Sequence, residues 1–265
     1  MPSFQLIGVV HLLPLPGSPA GSGSYGSVRD RALRDAGVLA EGGLDGIIIE
    51  NFGDAPFWPG QVPPHVPACM AELASAVRRE VGEDMPLGIN VLRNDAPSAV
   101  AVAMVSSADF IRVNVHVGAA WTDQGLIQGR APETLLYRRQ LGCEGLSIAA
   151  DVRVKHASPA GVSSMASLAR DTAYRGKADM LIVTGEATGG ACSTADLRVC
   201  REAVPDKPVW VGSGVSPGNL SSFIELADAA IVGTFLHQES RIERPLSKER
   251  VQKLKVERDR ALSRQ

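Results

Sequence analysis

The chain has 265 residues, 45% apolar, 21% charged and 5% aromatic, with a formal net charge of −2. That apolar content excludes a disordered, collagenous or low-complexity protein, and the charge balance supplies no global positive field for nucleic acid. The longest uninterrupted apolar run, Ala99–Val105, is far short of the roughly 18–20 residues that span a bilayer.

Along the chain, Val- and Ile-rich runs at Gln5–His11, Gly46–Asn51, Leu87–Leu92, Phe110–Val117, Leu146–Val154, Met180–Thr184, Val209–Gly214 and Ala230–Leu236 read as parallel strands buried on both faces. Between and after them lie candidate helices near 28–42, 66–81, 95–106, 132–141, 160–175, 194–203, 217–226 and 247–262. The first helix is expected to start at Ser27-x-x-Asp30, a capping-box-like opening, and to end at Gly42-Gly43. Pro217 after Ser216 fits the first position of the seventh. Consecutive βα units without a Pro/Gly-rich linker predict an α/β chain folded as a single closed (β/α)8 TIM barrel over residues 1–265; an open doubly wound sheet is the competing fold. An Asp precedes every even-numbered run (Asp45, Asp109, Asp179, Asp228), and the third and seventh runs both begin Asp-x-Pro, which points to two related half-barrels.

MPSFQLIGVV carries no basic stretch before its apolar run and does not read as a signal peptide, so a cytoplasmic protein is expected. Cys69, Cys143, Cys192 and Cys200 form no CxxC pair and are expected to be reduced, mostly buried thiols.

Alternation within the strands separates helix-facing from barrel-facing side chains. Ile111, Val113, Val115 and Val117 are assigned to the helices, which turns Arg112, Asn114 and His116 inward. Val152 and Val154 likewise face out, placing Asp151, Arg153 and Lys155 inside; His11, Glu50, Asn90 and Thr184 join them. An ordinary barrel interior is branched aliphatic, and buried polar groups cost several kcal/mol unless paired. Taken singly, these residues have structural explanations: hydrogen-bonded core histidines, satisfied amides, a Lys155 reaching the rim, or Arg112 neutralising Asp151 or Glu50. As a set at the strands' C-terminal ends, they point to an active site.

The glycines Gly212-Ser213-Gly214 after the seventh run, with Gly233-Thr234 in the eighth, predict a phosphate cradle of backbone N–H groups. Three long connections, 13–27, 52–65 and 118–131, read as loops able to act as lids. No metal motif stands out, although Glu50, Asp151 and His116 could hold a divalent cation in a barrel mouth. No GxGxxG, P-loop or GxSxG is present, so no cofactor is assigned.

The stretches GVVHLLPLPGSP (8–19), DGIIIENFGDAPF (45–57), LGINVLRNDAPSAVAVA (87–103), FIRVNVHVGAAWTDQGLIQGRA (110–131), ADVRVKHASP (150–159), VTGEATG (183–189) and VGSGVSPGNL (211–220) resemble the BtpA/SgcQ family. The resemblance implies a barrel of the ribulose-phosphate-binding type. It leaves the reaction open: one member is associated with photosystem I accumulation and another with sugar uptake.

Two functions follow. The first is an enzyme for a phosphorylated sugar or nucleotide-like metabolite, of lyase, isomerase or hydrolase type. Asp151 or Glu50 would be its base, His11 or His116 an acid–base partner, and Arg112 or Lys155 an electrophile, with Asn90 and Asn114 flanking them. The second is a non-catalytic assembly or stability factor. Neither needs a membrane or nucleic acid, and a homo-oligomer is compatible with both.

Overall fold

The computed structural model describes residues 4–21, 24–154, 157–161, 163–185, 190 and 192–264. Eight parallel strands close into a barrel: β1 (Gln5–His11), β2 (Gly46–Glu50), β3 (Leu87–Asn90), β4 (Phe110–Val113), β7 (Ser147–Arg153), β9 (Met180–Val183), β10 (Val209–Val211) and β11 (Ala229–Val232). The intervening β5 (Ala119–Thr122), β6 (Gly125–Gln128) and β8 (Ala157–Pro159) form a separate antiparallel sheet. The helices are α1 (Tyr25–Glu41), α2 (His65–Val81), α3 (Ala96–Ser106), α4 (Ala131–Gln140), α5 (Met165–Arg170), α6 (Thr194–Ala203), α7 (Ser221–Ile224) and α8 (Lys248–Leu262). The closed barrel excludes the open sheet.

Two apolar layers follow from the alternation. Outward residues such as Leu6, Ile47, Ile89 and Ile111 pack under the helices, while Ile7, Val9, Ile48, Ile182, Trp210 and Ile231 fill the barrel. The Phe110 and Trp210 rings meet edge to face at 5.4 Å between centroids. A Cβ on Gly88 would stand 2.3 Å from the Phe110 ring, so the glycine makes room for it. This apolar floor forces the polar inward positions into the layer above, at the strands' C-terminal ends.

At the opposite end the Asp repeat builds the same contact four times. Each Asp carboxylate accepts the N–H of a neighbouring strand: Asp45 from Leu6 (2.7 Å), Asp109 from Leu87 (2.8 Å), Asp179 from Ile148 (2.9 Å) and Asp228 from Val209 (2.7 Å). Each also receives a guanidinium from a helix, respectively Arg258, Arg78, Arg138 and Arg201. The same arginine donates to the carbonyl two residues before that N–H, on Phe4, Met85, Leu146 and Lys207. One clamp therefore closes each quarter-barrel.

Several expected boundaries move, each for a local reason. Ser24, not Ser27, caps α1, its hydroxyl accepting the Ser27 N–H. The segment 118–131 is a hairpin rather than a loop, turning at Gly125 with φ +95°. β4 stops at Val113 because Asn94 takes over the pairing: its Oδ1 accepts the Val115 N–H (2.8 Å) and its Nδ2 donates to the Val115 carbonyl (2.9 Å). Val115 then packs on Ala120 and Ile127 of the hairpin, not on the helices. A bulge between Asp151 and Arg153 resets the alternation in β7, turning Val154 toward that same cluster. Residues 216–219 form a turn held by the Asn219 side chain on the Ser216 N–H (2.8 Å), so α7 starts only at Ser221. The fifth helix starts at Met165 rather than near 160, where the Ser164 hydroxyl caps it by accepting the Ser167 N–H.

Candidate functional site

The top interior layer divides into two halves. β1, β2, β3, β4 and β7 contribute His11, Glu50, Asn90, Arg112 and Asp151, and Asn114 follows just beyond β4, all buried. β10 and β11 are followed by Gly212 and Gly233, whose bare backbone makes room for the Thr184 and Ile182 side chains and for the His11 ring respectively. Two adjoining cavities of about 270 and 320 Å³ result, sharing Glu50, Phe52 and Arg112 on their walls.

Arg112 is the hub of the polar half. Its Nη1 donates to Glu50 Oε1 (3.0 Å) and its Nε and Nη2 donate to Asp151 (3.2–3.3 Å). Burial alone would lower the guanidinium pKa, but Asp151 and Glu50 outweigh it and hold it above its ordinary value. Asn114 Nδ2 donates to Asp151 Oδ2 (2.8 Å), and Asn90 Nδ2 to Asn114 Oδ1 (3.1 Å). Both Asp151 oxygens are thus occupied and its side chain is 0% exposed. Glu50 differs: among the described residues only its Oε1 has a partner, and its side chain lines both cavities. Two carboxylates against one guanidinium leave one negative charge. Arg93, on the wall of the larger cavity, is acted on by Asp151, Asp123 and Glu50, while burial lowers its pKa.

His11 sits on the other wall of the smaller cavity, its Nδ1 3.0 Å from His237 Nε2 and its ring edge-on to Phe52 at 5.0 Å. His116 does not join the ring. Once Asn94 has drawn the chain off the β4 ladder, the His116 Nε2 reaches the Gly176 carbonyl at 2.8 Å, and the residue lines neither cavity. With Arg112 lying between Glu50 and Asp151, those two carboxylates and His116 do not converge on a cation position. Thr184 donates to the Arg153 carbonyl (2.8 Å). The bulge turns Arg153 away from the ring to the rim, where its Nη2 donates to the Ser163 carbonyl (3.5 Å). Lys155 lies outside the described residues.

In the glycine half, Gly212, Ser213, Gly214, Gly233 and Thr234 all line the smaller cavity. Among the described residues no acceptor meets the backbone N–H of Ser213, Gly214, Thr234 or Phe235. The Ser213 hydroxyl is not an additional donor to the cavity: it donates to the Gly190 carbonyl (3.0 Å) and accepts the Gly185 N–H (2.8 Å). Asn219 Nδ2 holds the Gly214 carbonyl (2.8 Å), and Gly214 has φ +69°, a conformation that favours glycine. Unbonded N–H groups on residues that line one cavity suit an anion with several acceptor oxygens.

Arg93, His237 and Ser240 also line or support these cavities and were not singled out from the sequence. His237 stands one residue past the expected end of the eighth strand, so strand alternation could not place it. All four cysteines are free, and burial pushes the Cys192 and Cys200 thiols up to about 12. Among the described residues no helix is long and apolar enough to cross a membrane.

Comparison with known proteins agrees with this architecture. The chain is 47% identical over 249 residues to an uncharacterised protein of Thermococcus kodakarensis, covering 94% of this chain and 93% of the relative. It is 45% identical over 246 residues to the photosystem I biogenesis protein BtpA of Synechocystis, covering 93% and 85%. Among solved structures, one titled native KDPGal matches with a TM-score of 0.61 at 16% identity, covering 97% of this chain and 96% of that one. Phosphoribosyl anthranilate isomerase of Thermus thermophilus matches with a TM-score of 0.60 at 12% identity, covering 98% and 100%. At such identities these structures share the TIM-barrel fold alone. The model of the BtpA family matches residues 3–259, and the chain belongs to that family.

Proposed function

We propose that the protein is an enzyme performing acid–base chemistry of lyase or isomerase type on a small phosphorylated metabolite. One observation carries this: the amides of Ser213, Gly214, Thr234 and Phe235, without an acceptor among the described residues, belong to residues that share a single cavity with His11, Glu50 and Arg112. A phosphate held by those amides would anchor the ligand away from the reacting bond, and that binding energy can position the bond over the polar half. Glu50 is the base in this reading, since one of its oxygens has no partner among the described residues and the residue lines both cavities. Arg112 would stabilise negative charge developing on a substrate oxygen. Asp151, with both oxygens taken, positions Arg112 rather than touching substrate.

The competing role, a non-catalytic biogenesis factor, draws on the Synechocystis relative's name and on the exposed Trp121 and Leu126 of the hairpin. It gives no use for the unbonded amides or the half-paired Glu50.

Incubating purified protein with a small-molecule extract and following phosphorylated compounds by mass spectrometry separates the two. Wild type is expected to consume at least one such compound. Glu50→Gln should slow that reaction by about a hundredfold or more without a comparable fall in melting temperature. Failure of wild type to bind or consume any phosphorylated compound would overturn the proposal in favour of the assembly role.

A further inference from the structure

Behind the His11 ring runs a line of buried polar groups that an acid–base role for His11 alone does not require. His237 is fully buried, with its Nδ1 2.6 Å from the Arg244 carbonyl oxygen and its Nε2 3.0 Å from His11 Nδ1. A carbonyl oxygen only accepts, so the His237 Nδ1 carries a hydrogen. Burial lowers the pKa of this imidazole, opposed by its bond to the Arg244 carbonyl and by Asp35 and Glu243, and reinforced by Arg31. A neutral ring protonated on Nδ1 leaves a lone pair on Nε2, which accepts from His11. His11 is thereby fixed with its hydrogen on Nδ1, and Nε2 becomes its basic nitrogen.

That nitrogen faces the cradle. A Cβ on Gly233 would stand 2.6 Å from His11 Cε1 and 3.1 Å from His11 Nε2, so the bare glycine lets this edge of the ring lie against the wall next to Thr234. The far end of the line is equally fixed. Arg31 donates to the same Arg244 carbonyl and pairs with Asp35, whose Oδ1 accepts the Leu246 N–H (3.3 Å). These contacts pin the segment that carries His237 to α1.

We propose that His11 and His237 form a general acid–base pair, in which His237 is a positioning residue that fixes the tautomer of His11 and presents its Nε2 to a ligand whose phosphate lies in the cradle. The proposal rests on the acid–base function above. In the step, the His11 Nε2 lone pair takes a proton from a substrate C–H or O–H, and the bonding electrons stay on the substrate. The imidazolium formed keeps its Nδ1–H on the neutral His237. The proton then returns from Nε2 to the product, with His237 unchanged and no other reactant consumed. A neutral histidine here does the orienting that a carboxylate does in a hydrolase triad.

Nitrogen-15 NMR of histidine-labelled protein near pH 7.5 reads the tautomer without any substrate, with His11→Gln identifying the signals. His11 should show the Nδ1–H pattern in wild type. His237→Phe removes the acceptor and should shift His11 toward the Nε2–H tautomer, whereas His237→Gln, with an acceptor oxygen, should retain Nδ1–H. A wild-type His11 in the Nε2–H form, or one indifferent to His237→Phe, would overturn the proposal even if His237→Phe folded poorly, because the first reading needs no variant. The expected tautomer in a protein that turns over a phosphorylated compound equally well as His11→Gln would remove the catalytic role, while leaving phosphate binding and Glu50 unaffected.

Discussion

His116 shows how one side chain can leave an expected site and acquire a different consequence. Its Nε2 donates to the Gly176 carbonyl, and its Nδ1 is buried without a partner among the described residues. Burial lowers its pKa, with the Gly176 bond opposing. A histidine depressed in the folded state binds fewer protons than in the unfolded chain below its ordinary value near 6.5. Stability therefore rises with pH through that region and is lost as pH falls. His116→Gln, whose amide still donates to the carbonyl, should flatten the fall in melting temperature between about pH 7.5 and 5.5, as scanning calorimetry would show; an unchanged slope would assign the dependence elsewhere, His237 being another depressed imidazole. The inward direction of Arg112 and Asp151 was legible because the strands alternate as far as those residues. His116 was not, because a side chain twenty-two positions earlier, Asn94, ends the ladder first. No local pattern in 110–117 records that.

The quarter clamps belong to the scale of elements. The Asp positions were visible in the sequence as a repeat, but their arginines lie on helices at no constant spacing from them, so the fourfold rule emerged only in three dimensions. Each carboxylate satisfies a strand N–H that would otherwise lose its acceptor, and each arginine ties a helix to the next strand's start. Removing one should cost about 1–3 kcal/mol, as for a hydrogen bond to a charged group. Asp45→Ala and Asp179→Ala share no partner, so their losses in urea unfolding should add to within about 0.5 kcal/mol. A double variant no less stable than either single one would show that the clamps are not independent. The fifth and seventh helices start later than expected from the sequence for local reasons: the Ser164 side chain caps the fifth at Met165, and the Asn219 turn holds 216–219 outside the seventh.

Across the whole molecule, a fourfold base supports an unsymmetrical mouth. The base and floor are regular, apolar and clamped, which is why the barrel followed from periodicity alone. The mouth breaks that regularity, with polar side chains on five strands and bare backbone after two. The sequence carried both halves, in the inward polar residues and in the Gly212–Gly214 and Gly233–Thr234 pairs. It could not show that Ser213 is committed to the chain at Gly185 and Gly190, that Arg93 joins the cavity wall beside Arg112, or that His237 stands behind His11, since each depends on chain segments distant in sequence.

The central claim is that these halves make one phosphate-anchored site. Crystals soaked in inorganic phosphate test it most directly, with wild type compared to Thr234→Glu, which puts a carboxylate into the cradle. The account predicts an anion within hydrogen-bonding distance of the Gly214 and Thr234 amides in wild type and none there in Thr234→Glu. A cradle that remains empty in wild type at saturating phosphate, or an anion bound equally well beside the introduced carboxylate in the variant, would contradict it.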